Sequence, residues 1–352
     1  MGRKTKVNRT TSPELIEKIN PKNKRLCKDF LLYLRAVQRS EETISKYKSD
    51  LDIFFVWLLQ NADNKEFKDV SKRDIIAFQN WLLYDCENSP ARIRRLKACL
   101  SSLSNYIENI LDDEPEFKTF KNIINKVENP INEPVREKSI FMEEELNKLL
   151  DYLVENKKYQ KACVLALSMA SGRRKAELCR FKVNYFDDKN IIFGSLYKTP
   201  EKIKTKGRGV NGKPLDCYCL VKKFKPYLDL WLKEREKLGI DSEYLFVVES
   251  EEDNTKWVQI KQTTLTSWAN SFTRYLRKLG INKTFYFHSM RHYFTTALAK
   301  ANIPDSVIQS IVGWASADLV RVYDDRTTDS QISKYFNEDG IKEVEQGSLD
   351  KL

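Results

Sequence analysis

His288 and Arg291 stand three residues apart in the stretch FHSMRHYF, and His292, which follows at once, is the other of the two histidines in a 352-residue chain. On a helix, positions i and i+3 share a face, so an imidazole and a guanidinium placed this way can converge on one anionic group. His292 then points elsewhere and is expected to pack into the core. Three other places carry comparable chemistry. In ASGRRKAELCRF a Ser171-Gly172 turn opens a helix with Arg174 in its first turn and Glu177 three residues on. A helix start already favours anions, and Glu177 can lock the guanidinium; an ordinary i,i+3 surface ion pair is the plainer reading. In IKTKGRGVNGKPLDCY a Gly-rich basic turn joins two strand-like runs and carries Lys204, Lys206, Arg208 and Lys213, without the GK[ST] ending of a nucleotide-binding loop. A lysine at such a tip can reach into a groove and protonate a leaving oxygen, although a solvated hairpin fits the local residues equally well. In IVGWASADLVRVYDD, Gly313-Trp314 end one helix and Tyr323 lies nine residues after Trp314. Taken alone, that tyrosine reads as core or surface.

Composition limits what these residues can do. Lysine and arginine outnumber aspartate and glutamate by 61 to 50, a formal charge of +11 and an isoelectric point near 9.1, which points weakly to a polyanionic partner. Seven cysteines, an odd number without a CxxC pair, make neither a disulfide framework nor a zinc knuckle, and two histidines exclude most His-built metal sites. Cys217 and Cys219 alternate on one face of an expected strand and read as packed thiols. No run reaches the length of a membrane span, MGRKTKVNRT lacks the apolar segment of a secretory signal, and Lys6 stands where myristoylation wants Ser or Thr. A cytoplasmic protein without membrane association is the expectation.

The elements that would position these residues fall into two groups. After a mobile basic arm over 1–21, EETISKYKSDLDIFFVWLL follows a capping Ser40, SKRDIIAFQNWLLYDC opens with Ser71 three residues before Asp74, and SPARIRRLKACLSSLSNYIENIL starts at Ser89-Pro90. These make a small all-helical domain over 22–128. Its third helix carries Arg92, Arg94, Arg95 and Lys97, either a solvated face or a set of phosphate contacts. Two prolines and polar composition mark a linker over 129–139. The second domain, 140–326, reads as helices over 142–155 and 158–170, a short helix, a strand-and-turn region over about 189–220, and helices over 221–237, 262–279, 288–301 and 304–312. The fold class is mainly α with a small β-sheet, α+β.

The order and spacing of these pieces resemble one family, the tyrosine recombinases or phage integrases, over the whole chain. SGRRKAEL is similar to the family's first arginine box, T-G-x-R-x-x-E-L. FHSMRHYFTTAL is similar to its H-x-L-R-H-x-F box, with Met290 replacing Leu, a volume-conserving swap. VGWASADLVRVY is similar to its L-G-H-x-S…Y box, with Trp314 in place of the commoner His, able to donate a hydrogen bond but not to shuttle protons. The helical front resembles the family's core-binding, DNA-binding domain.

The resemblance implies catalytic positions at Arg174, His288, Arg291, Trp314 and Tyr323, with Lys206 as the hairpin lysine; the longer hairpin leaves Lys204 as an alternative. It implies site-specific recombination: Tyr323 attacks a DNA phosphodiester to give a 3′-phosphotyrosine, Arg174 and Arg291 clamp the non-bridging oxygens, and Glu177 supports Arg174. Lys206 protonates the departing 5′ oxygen, His288 assists on the nucleophile side, and no cofactor or metal is needed. Arg92, Arg94, Arg95, Lys97, Lys204 and Arg208 are then DNA-binding candidates. The implied partners are double-stranded DNA with specific recombination sites, three further copies of the chain in a tetramer, and accessory DNA-bending or directionality proteins. The tail over 327–352 has Ile332, Tyr335 and Phe336 at near-helical spacing and could dock on a neighbouring protomer or pack in cis. The N-terminal extension and enlarged hairpin favour an integrase of a mobile element over a chromosomal resolvase. Two rivals are a type IB topoisomerase, which the helical front disfavours, and a helix-turn-helix regulator over TTALAKANIPDSVIQSIVGWAS. The second leaves the flanking His288, Arg291 and Trp314 without a use.

Overall fold

The computed structural model describes residues 10–131, 139–205, 212–253, 256–326, 336–337 and 340–341. It divides between 137 and 138 into two compact units.

Among the described residues, five α-helices build the first unit: α1 (Pro13–Glu17), α2 (Pro21–Ala36), α3 (Glu41–Asn61), α4 (Lys72–Asn80), which runs on into a π turn over Trp81–Asp85, and α5 (Pro90–Ile110). Each begins the same way. Ser12, Asn20, Ser40, Ser71 and Ser89 accept a first-turn backbone N–H, and proline fills the first position of α1, α2 and α5, where its missing N–H costs nothing. The core is aromatic: Phe54 meets Phe67 and Phe78 edge-on with centroids 5.9 and 4.9 Å away. The expectation of a mobile arm over 1–21 does not hold for its second half. Ser12 caps α1, Ile19 is buried, and Asn20 donates its backbone N–H to Asn64 Oδ1 at 3.0 Å and its Nδ2 to Asn64 O at 2.9 Å. An apolar side chain buried this early ties the arm to the helical core.

The second unit is arranged around a helix that is apolar on every side. It opens with α6 (Glu143–Glu155) and α7 (Tyr159–Ser171), and every residue of α7 from Ala162 onward is buried. α8 (Lys175–Leu178) follows, then β1 (Ile191–Ile192) and β2 (Leu196–Lys198), the hairpin β3 (Ile203–Thr205) and β4 (Lys213–Leu215), and β5 (Tyr218–Leu220). An antiparallel sheet of order β1-β2-β5 forms, and β3 pairs with β4 so that Thr205 faces Lys213. α9 (Val221–Lys237) packs along α7. A hairpin of β6 (Val247–Glu249) and β7 (Trp257–Gln259), not expected from the sequence, precedes α10 (Gln262–Lys278). α11 (Phe287–Lys300) packs on α7, and α12 (Asp305–Val312) and α13 (Asp318–Tyr323) pack on α11. In the tail, β8 (Phe336–Asn337) pairs with β9 (Gly340–Ile341), so Phe336 lies in a short strand where helical spacing was expected; Ile332 and Tyr335 lie outside the described residues.

Candidate active site

Two glycines shape the site. α7 ends at Gly172, whose φ of 58° is left-handed, and a Cβ there would fall 2.7 Å from the Phe294 ring. Only glycine suits both the turn and that approach. The turn sends Arg173 inward and leaves Arg174 at the start of α8, where its Nη1 lies 3.2 Å from Glu177 Oε1 while its backbone N–H donates to Oε2, also at 3.2 Å. Glu177 is almost wholly buried and Arg174 about a third exposed, so this is not a surface pair. The buried carboxylate fixes a guanidinium that still reaches solvent.

The second glycine is Gly313, which ends α12 at φ 76° and where a Cβ would meet Leu215 at 2.4 Å. It delivers Trp314 onto two partners. The indole centroid is 5.0 Å from the Arg291 guanidinium carbon and 4.8 Å from the Tyr323 ring.

Arg291, on α11, is fully buried. Its Nη1 donates to Gly172 O at 3.0 Å and its Nη2 to Val312 O at 3.1 Å, so one side chain ties the end of α7 to the end of α12. Burial, followed by the charge of Arg174, pulls its pKa down to about 9, and it stays protonated at neutral pH. Arg291 Nε and Trp314 Nε1 are buried donors without an acceptor among the described residues. Both belong to side chains within reach of Tyr323, whose ring lies 5.9 Å from the Arg291 guanidinium. Donors left unmatched beside two arginines suit an anionic group carrying several acceptor oxygens.

His288 lies exposed on the same helix, its ring 5.4 Å from Tyr323. Partial desolvation, then the charges of His292, Arg291 and Arg174, hold it below the ordinary histidine value. His292 departs from the expectation that it belongs to the core. Its ring is 4.5 Å from Tyr323 and 5.5 Å from His288, and its Nδ1 stands 3.3 Å from Asp325 Oδ2. The reason is helical phase: His292 stands four residues after His288, positions i and i+4 share a face, and α13 brings Tyr323 against both rings. The segment after Tyr323 is fastened there. Thr296 Oγ1 donates to Tyr323 O at 3.4 Å and accepts from Asp325 N–H at 3.0 Å, while Arg326 pairs with Asp324 and donates to Ala299 O at 2.9 Å. Asp324, Asp325 and Thr296 were not picked out in the sequence. The Asp-Asp-Arg run directly after the tyrosine was the available signal.

The hairpin stem stands beside α8. Lys204 is exposed on β3, its carbonyl accepts from Arg180, and Thr205 Oγ1 donates to Lys213 O at 2.6 Å. Lys206 and Arg208 lie outside the described residues.

Of the basic residues on α5, Arg92 and Arg95 both pair with the buried carboxylate of Asp50, at 2.6 and 3.1 Å, and Arg94 donates to Pro130 O at 2.9 Å. Lys97 does not fit a DNA-contacting role. It is buried, and its Nζ donates to Val127 O at 2.7 Å, Glu128 O at 3.0 Å and Gln79 Oε1 at 3.1 Å. An ammonium with its donors spent on carbonyl oxygens has none left for phosphate; it fastens the 127–128 segment to α5. Lys97→Met is therefore expected to destabilise the N-terminal unit by about 1–3 kcal/mol through the stranded acceptors. Chemical denaturation checks this. The salt dependence of DNA binding should be unchanged, whereas loss of a phosphate contact would lower its slope by roughly one.

Among the described residues no helix is long and apolar enough to cross a membrane, and no group of three or more His, Cys, Asp or Glu could hold a metal ion.

Comparison with known proteins adds to this geometry. Residues 140–329 match the profile of the "Phage integrase family", and residues 26–116 match "Phage integrase, N-terminal SAM-like domain". The SPbeta prophage-derived recombinase-like protein YomM of Bacillus subtilis is 31% identical over 234 residues, 66% of this chain and 67% of that protein. Tyrosine recombinase XerA of Pyrococcus horikoshii is 26% identical over 307 residues, 87% and 90% of the two chains. Among solved structures, XerH site-specific recombinase in a post-cleavage complex with palindromic difH substrate aligns with TM-score 0.60 at 20% identity, covering 88% of this chain and 82% of that one. A lambda integrase tetramer bound to a Holliday junction aligns with TM-score 0.60 at 16% identity, covering 87% and 79%. At these identities the two structural likenesses speak for the fold.

Proposed function

Because the chain belongs to the phage integrase family of tyrosine recombinases, we propose that it is a site-specific DNA recombinase serving the integration or excision of a mobile element, and that it breaks and rejoins DNA through a 3′-phosphotyrosine at Tyr323. The observation that carries this reading is the surround of Tyr323: Trp314 and His292 within 5 Å of its ring, and His288 and Arg291 within 6 Å. A tyrosine placed for packing alone would not collect two imidazoles and a buried guanidinium.

In this reading the Tyr323 oxygen attacks the scissile phosphorus, the bond from phosphorus to the 5′ oxygen breaks, and the phosphoryl group stays on the tyrosine with its bond energy stored. Arg174 and Arg291 offset the charge that builds on the non-bridging oxygens, and Glu177 holds Arg174 in place. The orphaned Trp314 Nε1 and Arg291 Nε would each find an acceptor on the phosphate. His288 takes the phenolic proton, and the departing 5′ oxygen is protonated from the hairpin, by Lys206 or Lys204. DNA carrying two recombination sites and a tetramer of this chain are the partners the reading requires. The prophage origin of a 31%-identical relative supports the mobile-element role.

The test is a nicked suicide duplex drawn from DNA flanking the gene, scored for a detergent-stable protein–DNA adduct. An adduct at one defined flanking sequence is expected; none on any flanking segment would overturn the reading, and adducts spread without sequence preference would favour a relaxing enzyme.

The lowered His288 pKa sets the pH dependence. The neutral imidazole, which accepts the proton, persists below the ordinary value of about 6.5. The acid limb of kcat/KM for cleavage should therefore fall at a pH below 6.5 and disappear in His288→Gln. A limb above 6.5 would show that a different group carries it.

A further inference from the structure

Arg173, beside Arg174, has no place in the chemistry above, yet it is one of the largest fully buried side chains among the described residues. The Gly172 turn drives its guanidinium beneath the site. There Nη2 donates to Ile311 O in the last turn of α12, one residue before the carbonyl that Arg291 holds, and Nη1 lies 3.8 Å from where a Cβ on Gly313 would stand. Two arginines thus grip adjacent carbonyls at the end of one helix, and Trp314 is the second residue beyond. Neither has a carboxylate ion-pair partner among the described residues, and Arg173 Nε and Nη1 have no acceptor there. The partial negative charge of a helix C-terminus offsets part of one cation and falls short of two. A buried guanidinium is costly, and packing alone would be served better by an apolar side chain.

We propose that Arg173 is a positioning residue of the cleavage site, holding the α12 terminus and Trp314 against Tyr323 and adding a second buried positive charge beneath the phosphate. The inference rests on the recombinase reading for its substrate. The charge acts through Arg291, which Arg173 repels, and a bound phosphate offsets that repulsion. The carbonyl contact acts on geometry, since a shift of Trp314 would displace the ring it packs against.

Arg173→Lys keeps a charge and a donor, Arg173→Gln keeps a donor only, and Arg173→Met keeps neither. On the suicide duplex at saturating DNA, the adduct rate of Arg173→Met and Arg173→Gln is expected to fall roughly tenfold to a hundredfold while KM changes less than about threefold, with Arg173→Lys recovering most of the rate. A DNA-independent arm uses inorganic sulfate as the probe: the gain in melting temperature on adding sulfate should be largest in the wild type, smaller in Arg173→Lys and smallest in Arg173→Gln. Wild-type rate in Arg173→Gln, or an equal sulfate gain in Arg173→Lys and Arg173→Gln, would overturn the proposal. If Arg173→Met does not fold, the Lys and Gln pair still decides. If the wild type forms no adduct on any flanking duplex, the recombinase reading has failed, and the sulfate arm judges Arg173 alone.

Discussion

Tyr323→Phe is expected to form no covalent complex with the suicide duplex while binding it about as tightly as the wild type. Its ring makes the contacts that shape the site, with Trp314 at 4.8 Å and His292 at 4.5 Å, and phenylalanine keeps all of them. Its backbone carbonyl, which accepts from Thr296, is likewise untouched. The substitution removes one oxygen, so a lost adduct cannot be blamed on a lost fold. The oxygen removed is the nucleophile of the proposed reaction. The loss should be complete, to the limit of detection. Gel-shift titration and a denaturing gel on the same samples separate binding from bond formation. Residual adduct in Tyr323→Phe would place the nucleophile elsewhere.

The second large effect is expected from Arg291, and it divides between two measurements. In the proposed reaction Arg291→Ala removes a transition-state donor, which should cost on the order of 100- to 1,000-fold in the cleavage step. It also strands Gly172 O and Val312 O, each of which loses its guanidinium hydrogen bond. Those two unmatched acceptors destabilise by about 1–3 kcal/mol each, offset by relief of burying a cation below its ordinary pKa. Arg291→Lys keeps the charge but cannot span both carbonyls and still offer a donor to phosphate. It should therefore melt closer to the wild type than Arg291→Ala while remaining at least tenfold slow. Rates from single-turnover cleavage and melting curves of the free protein check the two parts separately. Recovery of full rate in Arg291→Lys would mean that charge alone suffices and the fork geometry is irrelevant.

Much of the architecture is written locally. Ser40, Ser71 and Ser89 announce the starts of α3, α4 and α5 because a capping side chain acts within three residues of itself, and α9 begins and ends where the apolar period does. Gly172 and Gly313 are legible for the same reason. The parts that escaped depend on residues far apart in the chain. Lys97 looks like its exposed neighbours on α5 until the 127–128 segment returns to cover it. Arg173 and Arg174 are chemically identical and adjacent, and only the left-handed turn before them decides which faces the solvent. The β6–β7 hairpin is short, and its three-residue strands carry too little alternation to be told from a loop.

The fastening of Asp324, Asp325 and Arg326 onto α11 bears on how copies of the chain would share labour in the proposed tetramer. The chain leaving Tyr323 is held by Thr296, His292 and Ala299 of the very helix that carries His288 and Arg291. In the proposed reaction this attachment has the tyrosine act with the Arg291 of its own polypeptide. In a mixed assembly, a copy lacking Arg174 and a copy lacking Tyr323 should be unable to rescue each other, and cleavage at a site occupied by the pair should stay at the level of either one alone. Restored cleavage in that mixture would mean that the tyrosine leaves its own fold to work in a neighbour's.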